Sequence, residues 1–279
     1  MSLKSFLTFI RFSHTLFALP FALGSMVIAA HGWPGWWLFG LIMLCMVSAR
    51  TAAMSFNRLV DWEIDLRNPR TAQRHTLLSK QVAIGVCFLS ALLFILFAGA
   101  INHLCFLLSP VALFIIFFYS ITKRFSSLAQ FFLGLALAVS PVGAWIAVTG
   151  SFALAPLVLA LGVLCWVAGF DIIYAMQDVE IDRKEGLHSM VIWLGIPRAL
   201  RLAGLLHGVL LLSLIGFGQL MNLNFFYYFF LIPIPFLLWY EHRVARTLQV
   251  DLINRAFFQA NAFVGLLFVL ATIFTAMSP

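Results

Sequence analysis

Charged residues are scarce in this sequence. Only 10% of its 279 residues are Asp, Glu, Lys or Arg, whereas 63% are hydrophobic and the mean hydropathy is +1.04. A soluble domain usually carries about a quarter charged residues, so an ordinary soluble domain is excluded and a membrane protein is predicted. Long polar segments, Pro- or Ser-rich linkers and low-complexity tracts are also missing, and we therefore predict one domain over residues 1–279.

Paired cysteines are absent as well. The cysteines all lie in apolar runs without paired spacing, which excludes a disulfide framework and a zinc site; they are Cys45, Cys87, Cys105 and Cys165. A convincing cleaved signal peptide is also missing, because Pro20 interrupts the first apolar run and no small-residue cleavage site precedes the next one. We therefore predict that the first apolar run is retained as a membrane span.

What the sequence does contain is a series of apolar runs close to the roughly 20 residues that cross a bilayer as a helix. Only one charged residue, Arg50, lies inside them. They predict an all-α fold, a polytopic membrane bundle of about nine transmembrane helices, at residues 13–30, 37–56, 82–100, 104–120, 128–149, 152–170, 202–219, 225–240 and 257–276.

The placement of charge predicts the orientation, because Lys and Arg accumulate in cytoplasmic loops. If the N-terminus is cytoplasmic, all charged segments between spans fall on the cytoplasmic side. The opposite turns then contain no Asp, Glu, Lys or Arg; they lie near residues 31–36, 101–103, 150–151, 220–224 and 277–279. We assign the net charge of +7 to these loops and to contact with anionic membrane lipid, and predict no nucleic-acid partner.

The first informative motif is an acidic column at the end of a span. Segment 57–65 contains no Gly or Pro and is predicted to continue the preceding helix. Asn57, Asp61 and Asp65 then share one helix face, because residues four apart lie one turn apart. Like charges at this spacing repel each other, which favours a cation bound between them. Oxygen-only ligands predict Mg²⁺, which proteins hold through one or two carboxylates plus substrate phosphates.

A second acidic column repeats this design more than a hundred residues later. Its members are predicted to share one face of a helix that continues a span; they are Asp171, Tyr174, Asp178 and Asp182. Facing columns would hold two or more magnesium ions on opposite sides of a diphosphate. The alternative is that each acid is an ordinary solvated loop residue beside topology-setting arginines. The equal spacing, membrane side and position after a span disfavour that alternative.

Basic residues near the columns are candidates for binding a diphosphate, whose developing charge Arg and Lys stabilise. We predict this role for Arg70, Lys123 and Arg124. Arg50 lies seven residues before Asn57, on the same helix face and about two turns deeper in the membrane. Intramembrane arginines are functional by default, so Arg50 is predicted to bind the diphosphate or a carboxylate on a second substrate. Snorkelling or pairing with an internal acid is the alternative.

These columns resemble the aspartate-rich motifs of the UbiA-type intramembrane aromatic prenyltransferases. Asn57-x-x-x-Asp61-x-x-x-Asp65 is similar to the first family motif, and Tyr174-x-x-x-Asp178-x-x-x-Asp182 is similar to the second. Segments 68–72, 119–124 and 186–189 resemble further family signatures, whereas 73–77 departs from the common pattern. The resemblance covers nearly the whole chain, and enzymes called 4-hydroxybenzoate polyprenyltransferase are the subgroup it is most similar to. Some enzymes of that subgroup resemble the enzyme that carries out the prenylating step of the futalosine route to menaquinone.

The resemblance implies a Mg²⁺-dependent enzyme of the bacterial inner membrane, with nine helices and an active site facing the cytoplasm. It would transfer a polyprenyl group from polyprenyl diphosphate to an aromatic acid, either 4-hydroxybenzoate or a dihydroxynaphthoate, in ubiquinone or menaquinone biosynthesis. Magnesium would be held by Asn57, Asp61, Asp65, Asp178 and Asp182. Asp171, Tyr174 and Arg50 would position the acceptor or assist proton loss.

Two other classes share single features with this interpretation. A cation- or proton-coupled transporter would also place acids in the membrane, but near the midplane and beside helices broken by Gly or Pro. Here the acids lie at predicted cytoplasmic helix ends and are accompanied by arginines. A soluble-type isoprenyl chain synthase would share the metal chemistry, but the nine predicted spans argue against it.

Overall fold

A computed structural model of the chain describes residues 15–67 and 77–278, and these form helices and connecting turns without any β-strand. The helices are α1 (Thr15–Ala29), α2 (Trp36–Val60), α3 (Trp62–Arg67), α4 (Lys80–Ile101), α5 (His103–Thr122), α6 (Ala129–Thr149), α7 (Leu154–Ala175), α8 (Val179–Lys184), α9 (Met190–Leu194), α10 (Ile196–Leu220), α11 (Phe225–Leu231), α12 (Ile234–Ala245) and α13 (Val250–Met277).

Seven of the described helices are long and apolar enough to cross a membrane, namely α2, α4, α5, α6, α7, α10 and α13. Large apolar side chains on them are exposed, for example Phe88 at 72%, Leu205 at 71% and Phe114 at 66%. Single exposed apolar residues are ordinary on soluble proteins, but this density on long helices fits a lipid environment. The predicted all-α membrane class is confirmed.

The two other predicted spans have a different local form. The run 13–30 overlaps α1, which begins where the described residues begin. The run 225–240 is divided into α11 and α12 at Ile232 and Pro233. Proline has no N–H and its ring clashes with the preceding turn, which explains the interruption. The total of nine spans and the cytoplasmic N-terminus stay predictions.

The chain divides into two compact units, and the single-domain interpretation over residues 1–279 stays a prediction. Among the described residues, the first unit comprises Thr15 with residues 35–67 and 77–121, and the second comprises Leu16–Pro34 with residues 122–278. In the first unit α2 packs along α4 through small residues, with Ala52 and Ala83 fully buried. Small side chains allow helix backbones to approach closely, as is usual inside membranes.

In the second unit α7 packs against both α6 and α10. A side chain at Gly134 of α6 would collide with the backbone oxygen of Leu164 on α7, so the two helices touch backbone to backbone there. Trp166 of α7 lies at the centre of the core and contacts the rings of Phe21 and Phe170. This close packing fixes the end of α7, which carries the second acidic motif.

Each unit contains a helix in which a serine precedes a proline and donates a hydrogen bond to the carbonyl that the proline leaves without a partner. A proline leaves the carbonyl four residues earlier without its usual N–H partner. Ser109 Oγ donates to the Phe106 carbonyl, 2.8 Å away, in front of Pro110. In α6 Ser140 Oγ donates to the Leu137 carbonyl at 2.8 Å, in front of Pro141. Both helices therefore continue past a proline with the freed carbonyl satisfied, as a membrane interior requires.

Candidate active site

The first acidic motif lies at the junction of α2 and α3. α2 ends at Val60, and Asp61 has φ −87° and ψ 9°, which is the sparsely populated region between helix and strand. The Asp61 N–H still donates to the Asn57 carbonyl at 3.0 Å, and the Asp65 N–H donates to the Asp61 carbonyl at 2.8 Å. The prediction of one continuous helix was wrong, but the four-residue repeat survives the break.

The two carboxylates of this motif are withdrawn from solvent. Asp61 and Asp65 are each only 6% exposed, and Asn57 is half-buried. Arg58, which is 5% exposed, places Nη1 3.5 Å from Oδ2 of Asp65. Arg58 was not among the predicted site residues, although its seven-residue separation from Asp65 puts both on one helix face, as it does for Arg50 and Asn57.

The second acidic motif lies at the junction of α7 and α8 and has the same form. α7 ends at Ala175, and Asp178 precedes the first residue of α8. The intervening turn tightens to three-residue hydrogen bonds, including Asp178 N–H to the Ala175 carbonyl at 3.1 Å, before Asp182 N–H donates to the Asp178 carbonyl at 2.8 Å. The prediction of one helix running through this motif was therefore wrong, because the helix is interrupted between Ala175 and Val179.

The tight turn separates the members of the second column. Asp171 and Tyr174 lie on the last turns of α7, whereas Asp178 immediately precedes α8 and Asp182 lies within it. Charge still connects them, because the Asp171 carboxyl interacts electrostatically with Asp178 and Asp182, which repel it, and with Lys123, which attracts it. The second unit thus brings together a lysine and three of the predicted acids.

A short loop after α8 connects this acidic motif to Lys123. The Leu187 N–H donates to the Asp182 carbonyl at 2.8 Å, and the His188 N–H donates to the Lys123 carbonyl at 2.7 Å. Gly186 begins the loop with φ +65°, a conformation that other residues rarely adopt. Ser189 ends it by accepting from the Ile192 N–H of α9. The loop holds the backbones of Lys123 and Asp182 in a fixed relation.

The remaining predicted residues are less informative. Arg50 is half-buried on α2, and Arg124 is exposed in the turn after α5. Tyr174 packs its ring against Phe257 of α13, with the ring centres 4.8 Å apart. Arg70 falls outside the described residues.

A buried polar network of the second unit was also missed by the sequence analysis. Trp166 Nε1 donates to Asn261 Oδ1 at 2.7 Å, and Asn261 Nδ2 donates to Glu241 Oε1 at 2.8 Å. Only isolated Asn and Glu residues far apart in the sequence encode it, so no spacing rule could have found it. Its hydrogen bonds hold Trp166 of α7 in place within the core.

The donor sets of the two motifs fit magnesium in kind. In the part of the chain that the structure describes, no group of three or more His, Cys, Asp or Glu side chains is arranged to hold a metal ion. Each motif by itself supplies two aspartates and no sulfur or imidazole ligand. That number and type are what Mg²⁺ takes from a protein when substrate phosphates complete its coordination.

Known proteins resemble the chain over almost its whole length. Residues 18–274 match the UbiA prenyltransferase family. The 4-hydroxybenzoate octaprenyltransferase of Vibrio parahaemolyticus serotype O3:K6 is 32% identical over 245 residues, which are 87% of this chain and 86% of that protein.

Solved structures also resemble the chain over almost its whole length. The apo structure of a UbiA homolog from Aeropyrum pernix K1 has a TM-score of 0.84 and 26% identity, over 95% of this chain and 98% of that one. A UbiA homolog from Archaeoglobus fulgidus bound to GPP and Mg²⁺ shares the fold, with a TM-score of 0.69 and 20% identity over 99% and 100% of the two chains. The chain therefore belongs to the UbiA prenyltransferase family and is a membrane prenyltransferase.

Proposed function

We propose that this enzyme transfers a polyprenyl group from polyprenyl diphosphate to an aromatic acid in quinone biosynthesis, with Mg²⁺ as cofactor. The observation that supports this proposal most directly is that the two motifs have the same backbone arrangement. In each, an aspartate stands where a long apolar helix breaks, and its carbonyl accepts from the N–H of a second aspartate four residues later. Two unrelated loop acids give no reason for the same backbone arrangement to occur twice.

The donor's diphosphate is the proposed ligand of both motifs. Asn57, Asp61, Asp65, Asp178 and Asp182 would hold the magnesium ions, which neutralise the diphosphate and make it a better leaving group when bound. Lys123 is attracted to the acidic group of the second unit and supplies positive charge there. Arg70 and Arg124 are proposed to add to this positive charge.

The reaction itself is an electrophilic aromatic substitution. The C–O bond to the diphosphate breaks with both electrons leaving on the diphosphate oxygen. The allylic carbon then forms a C–C bond with an electron-rich ring carbon, and the ring proton departs to a base. Such a reaction needs a well-positioned acceptor more than a strong nucleophile in the protein. Asp171 and Tyr174, at the end of α7, are proposed to position the acceptor or receive that proton.

The acceptor is proposed to be a compact aromatic acid, either 4-hydroxybenzoate or a dihydroxynaphthoate. The Vibrio relative, named as a 4-hydroxybenzoate octaprenyltransferase, supports the first. Arg50 on α2 offers a guanidinium for the acceptor's carboxylate, a pairing that forms charge-assisted and often bidentate hydrogen bonds. We further propose that the enzyme lies in the bacterial inner membrane with this site facing the cytoplasm.

The test is transfer of radiolabelled polyprenyl from its diphosphate to 4-hydroxybenzoate, and in parallel to a dihydroxynaphthoate, by purified membranes. Asp61→Ala and Asp178→Ala are each expected to reduce the rate about a hundredfold or more, because a lost charge-stabilising group costs that much. Glu63→Ala and Glu180→Ala are matched controls, since these exposed acids lie within the motifs but outside the four-residue repeat. Unchanged activity in either aspartate variant would contradict the metal assignment, and transfer to neither acid would contradict the proposed reaction.

A further inference from the structure

Arg58 stands inside the first acidic motif, yet the proposed reaction gives it no role. The residue is 5% exposed, and its Nη1 lies 3.5 Å from Oδ2 of Asp65. The two side chains of this ion pair are 6% and 9% exposed. An arginine is rarely so deeply buried unless a specific charge holds it there.

The acids of the motif create a need for such a charge. Asp61 and Asp65 are both buried and lie one turn apart, so their ionised carboxylates repel each other where little water screens them. A magnesium ion would remove that repulsion in the loaded enzyme. Arg58 supplies a positive charge at the same carboxylate from within the chain.

The contact between Arg58 and Asp65 is longer than a strong arginine–carboxylate hydrogen bond. Strong arginine–carboxylate pairs form two parallel hydrogen bonds of about 2.7–2.9 Å. Arg58 instead approaches one oxygen of Asp65 at 3.5 Å. The contact therefore places positive charge beside Asp65 at a distance longer than that of a strong bidentate pair.

The second motif shows that this arginine is not a general requirement of the design. Aligning the two motifs on their aspartates places Ala175 at the position of Arg58. Lys123, on a separate segment, contributes positive charge at Asp171 of the second motif. The second motif therefore has no arginine at the position that Arg58 occupies in the first.

We propose that Arg58 is a positioning residue that acts as a placeholder cation. It neutralises Asp65 in the metal-free enzyme and yields that carboxylate when magnesium and the diphosphate bind. The proposal rests on the proposed function, because it requires the first motif to bind metal. A permanent structural ion pair would instead stabilise the metal-free and loaded forms equally and leave metal affinity unchanged.

The experiment measures thermal unfolding of the purified protein in detergent, without metal and during a Mg²⁺ titration, in the presence of a non-hydrolysable thiolo analogue of a prenyl diphosphate. Arg58→Met removes the charge but keeps most of the apolar stem. We expect it to lower the unfolding temperature of the metal-free protein and to lower the Mg²⁺ midpoint about tenfold, an ordinary size for coupling between two bound groups. Arg183→Met, at an exposed arginine of α8, is the matched control and should leave the midpoint unchanged.

Arg58→Lys completes the series, since it keeps the charge but loses the planar guanidinium. Its midpoint is expected between those of wild type and Arg58→Met, and this comparison decides the matter if Arg58→Met does not fold. A midpoint that is unchanged or raised in the Arg58 variants overturns the placeholder role. If the wild-type protein itself gains no stability from Mg²⁺ and the analogue, the metal assignment of the proposed function fails instead.

Discussion

Asp61 and Asp178 occupy equivalent residues in their motifs. Each stands at the break between a long apolar helix and a helix of six residues, and each gives its carbonyl to the N–H of the aspartate four residues later. The backbone therefore fixes the relation between the two aspartates of a motif, whatever their side chains bind. A ligand that needs both carboxylates finds the spacing already set, which reduces the ordering cost of binding.

Arg50 allows the proposed acceptor to be tested at a single residue. Arg50→Leu is expected to raise the KM for 4-hydroxybenzoate about ten- to a hundredfold, because a charge-assisted hydrogen bond contributes about 1.5–3 kcal/mol. The KM for the polyprenyl diphosphate should change less than about twofold, since uniform binding of one substrate is lost without affecting the other. Steady-state kinetics with each substrate varied in turn gives both constants.

The uncharged acceptor 4-hydroxybenzamide is the control for this prediction. Wild type and Arg50→Leu should use it with similar KM values, because it presents no carboxylate to the arginine. If Arg50→Leu instead raises the KM for the diphosphate and leaves that for 4-hydroxybenzoate unchanged, Arg50 binds the diphosphate.

At the residue scale the sequence predicted the spacing of the acids but not their surroundings. The repeats at Asp61 and Asp65 and at Asp178 and Asp182 are four residues long in the sequence and remain so in the backbone. The breaks at Asp61 and Asp178 carry no Gly or Pro, so local chemistry gives no sign of them. Arg58 was not predicted, although it stands seven residues before Asp65, the same separation that relates Arg50 to Asn57.

The contact between α6 and α7 fixes the position of α7, and the second motif lies at the end of that helix. An added Cβ at Gly134 would meet the Leu164 backbone, which cannot move aside as a flexible side chain could. At Gly143, on the same helix, an added Cβ would have no neighbouring atom within 4 Å. These two glycines therefore separate the effect of crowding from the effect of glycine itself.

Gly134→Ala is expected to destabilise the protein by about 1–3 kcal/mol, the usual cost of forcing extra volume into a packed interior. Gly143→Ala should be neutral or slightly stabilising, because alanine is the better helix former. Thermal unfolding in detergent, followed by fluorescence, compares the two variants with wild type. Equal stability of the two variants would mean that α6 and α7 are not in backbone contact at Gly134.

At the element scale the long helices were predictable and the short ones were not. The apolar runs locate α2, α4, α5, α6, α7, α10 and α13, because a bilayer demands length and hydrophobicity that composition reveals directly. The division of the run 225–240 into two helices depends on where the helix resumes around Pro233, and the apolar composition of the run does not indicate that position. α3 and α8 are too short for any hydrophobic period to register.

At the scale of the whole molecule, the sequence motifs and the family match converge on the same class of enzyme. The two aspartate motifs lie in different compact units of the chain, while the family match runs through both, from residue 18 to residue 274. A match confined to one unit would have left the second motif unexplained. The continuous match makes a prenyltransferase, rather than a transporter, the class to which the acids belong.

The predicted orientation leads to a topology test in bacterial cells. Single cysteines are introduced at Ser151 and Lys184, both exposed, in a protein whose four native cysteines are replaced by alanine. A membrane-impermeant maleimide should label Ser151→Cys in spheroplasts, because that turn lacks charge, and Lys184→Cys only after permeabilisation. The reverse pattern would contradict a cytoplasmic N-terminus and a cytoplasmic site.

The same labelling applied on either side of α11 and α12 decides the number of spans. Neither helix is long enough to cross the bilayer alone, but joined at Pro233 they cover the predicted span at 225–240. If the broken pair crosses once, Phe225→Cys should be labelled from outside and Leu248→Cys only after permeabilisation, since both positions are exposed. Labelling of both from the same side would make the pair a re-entrant segment, reduce the count below nine and place α13 in the opposite orientation.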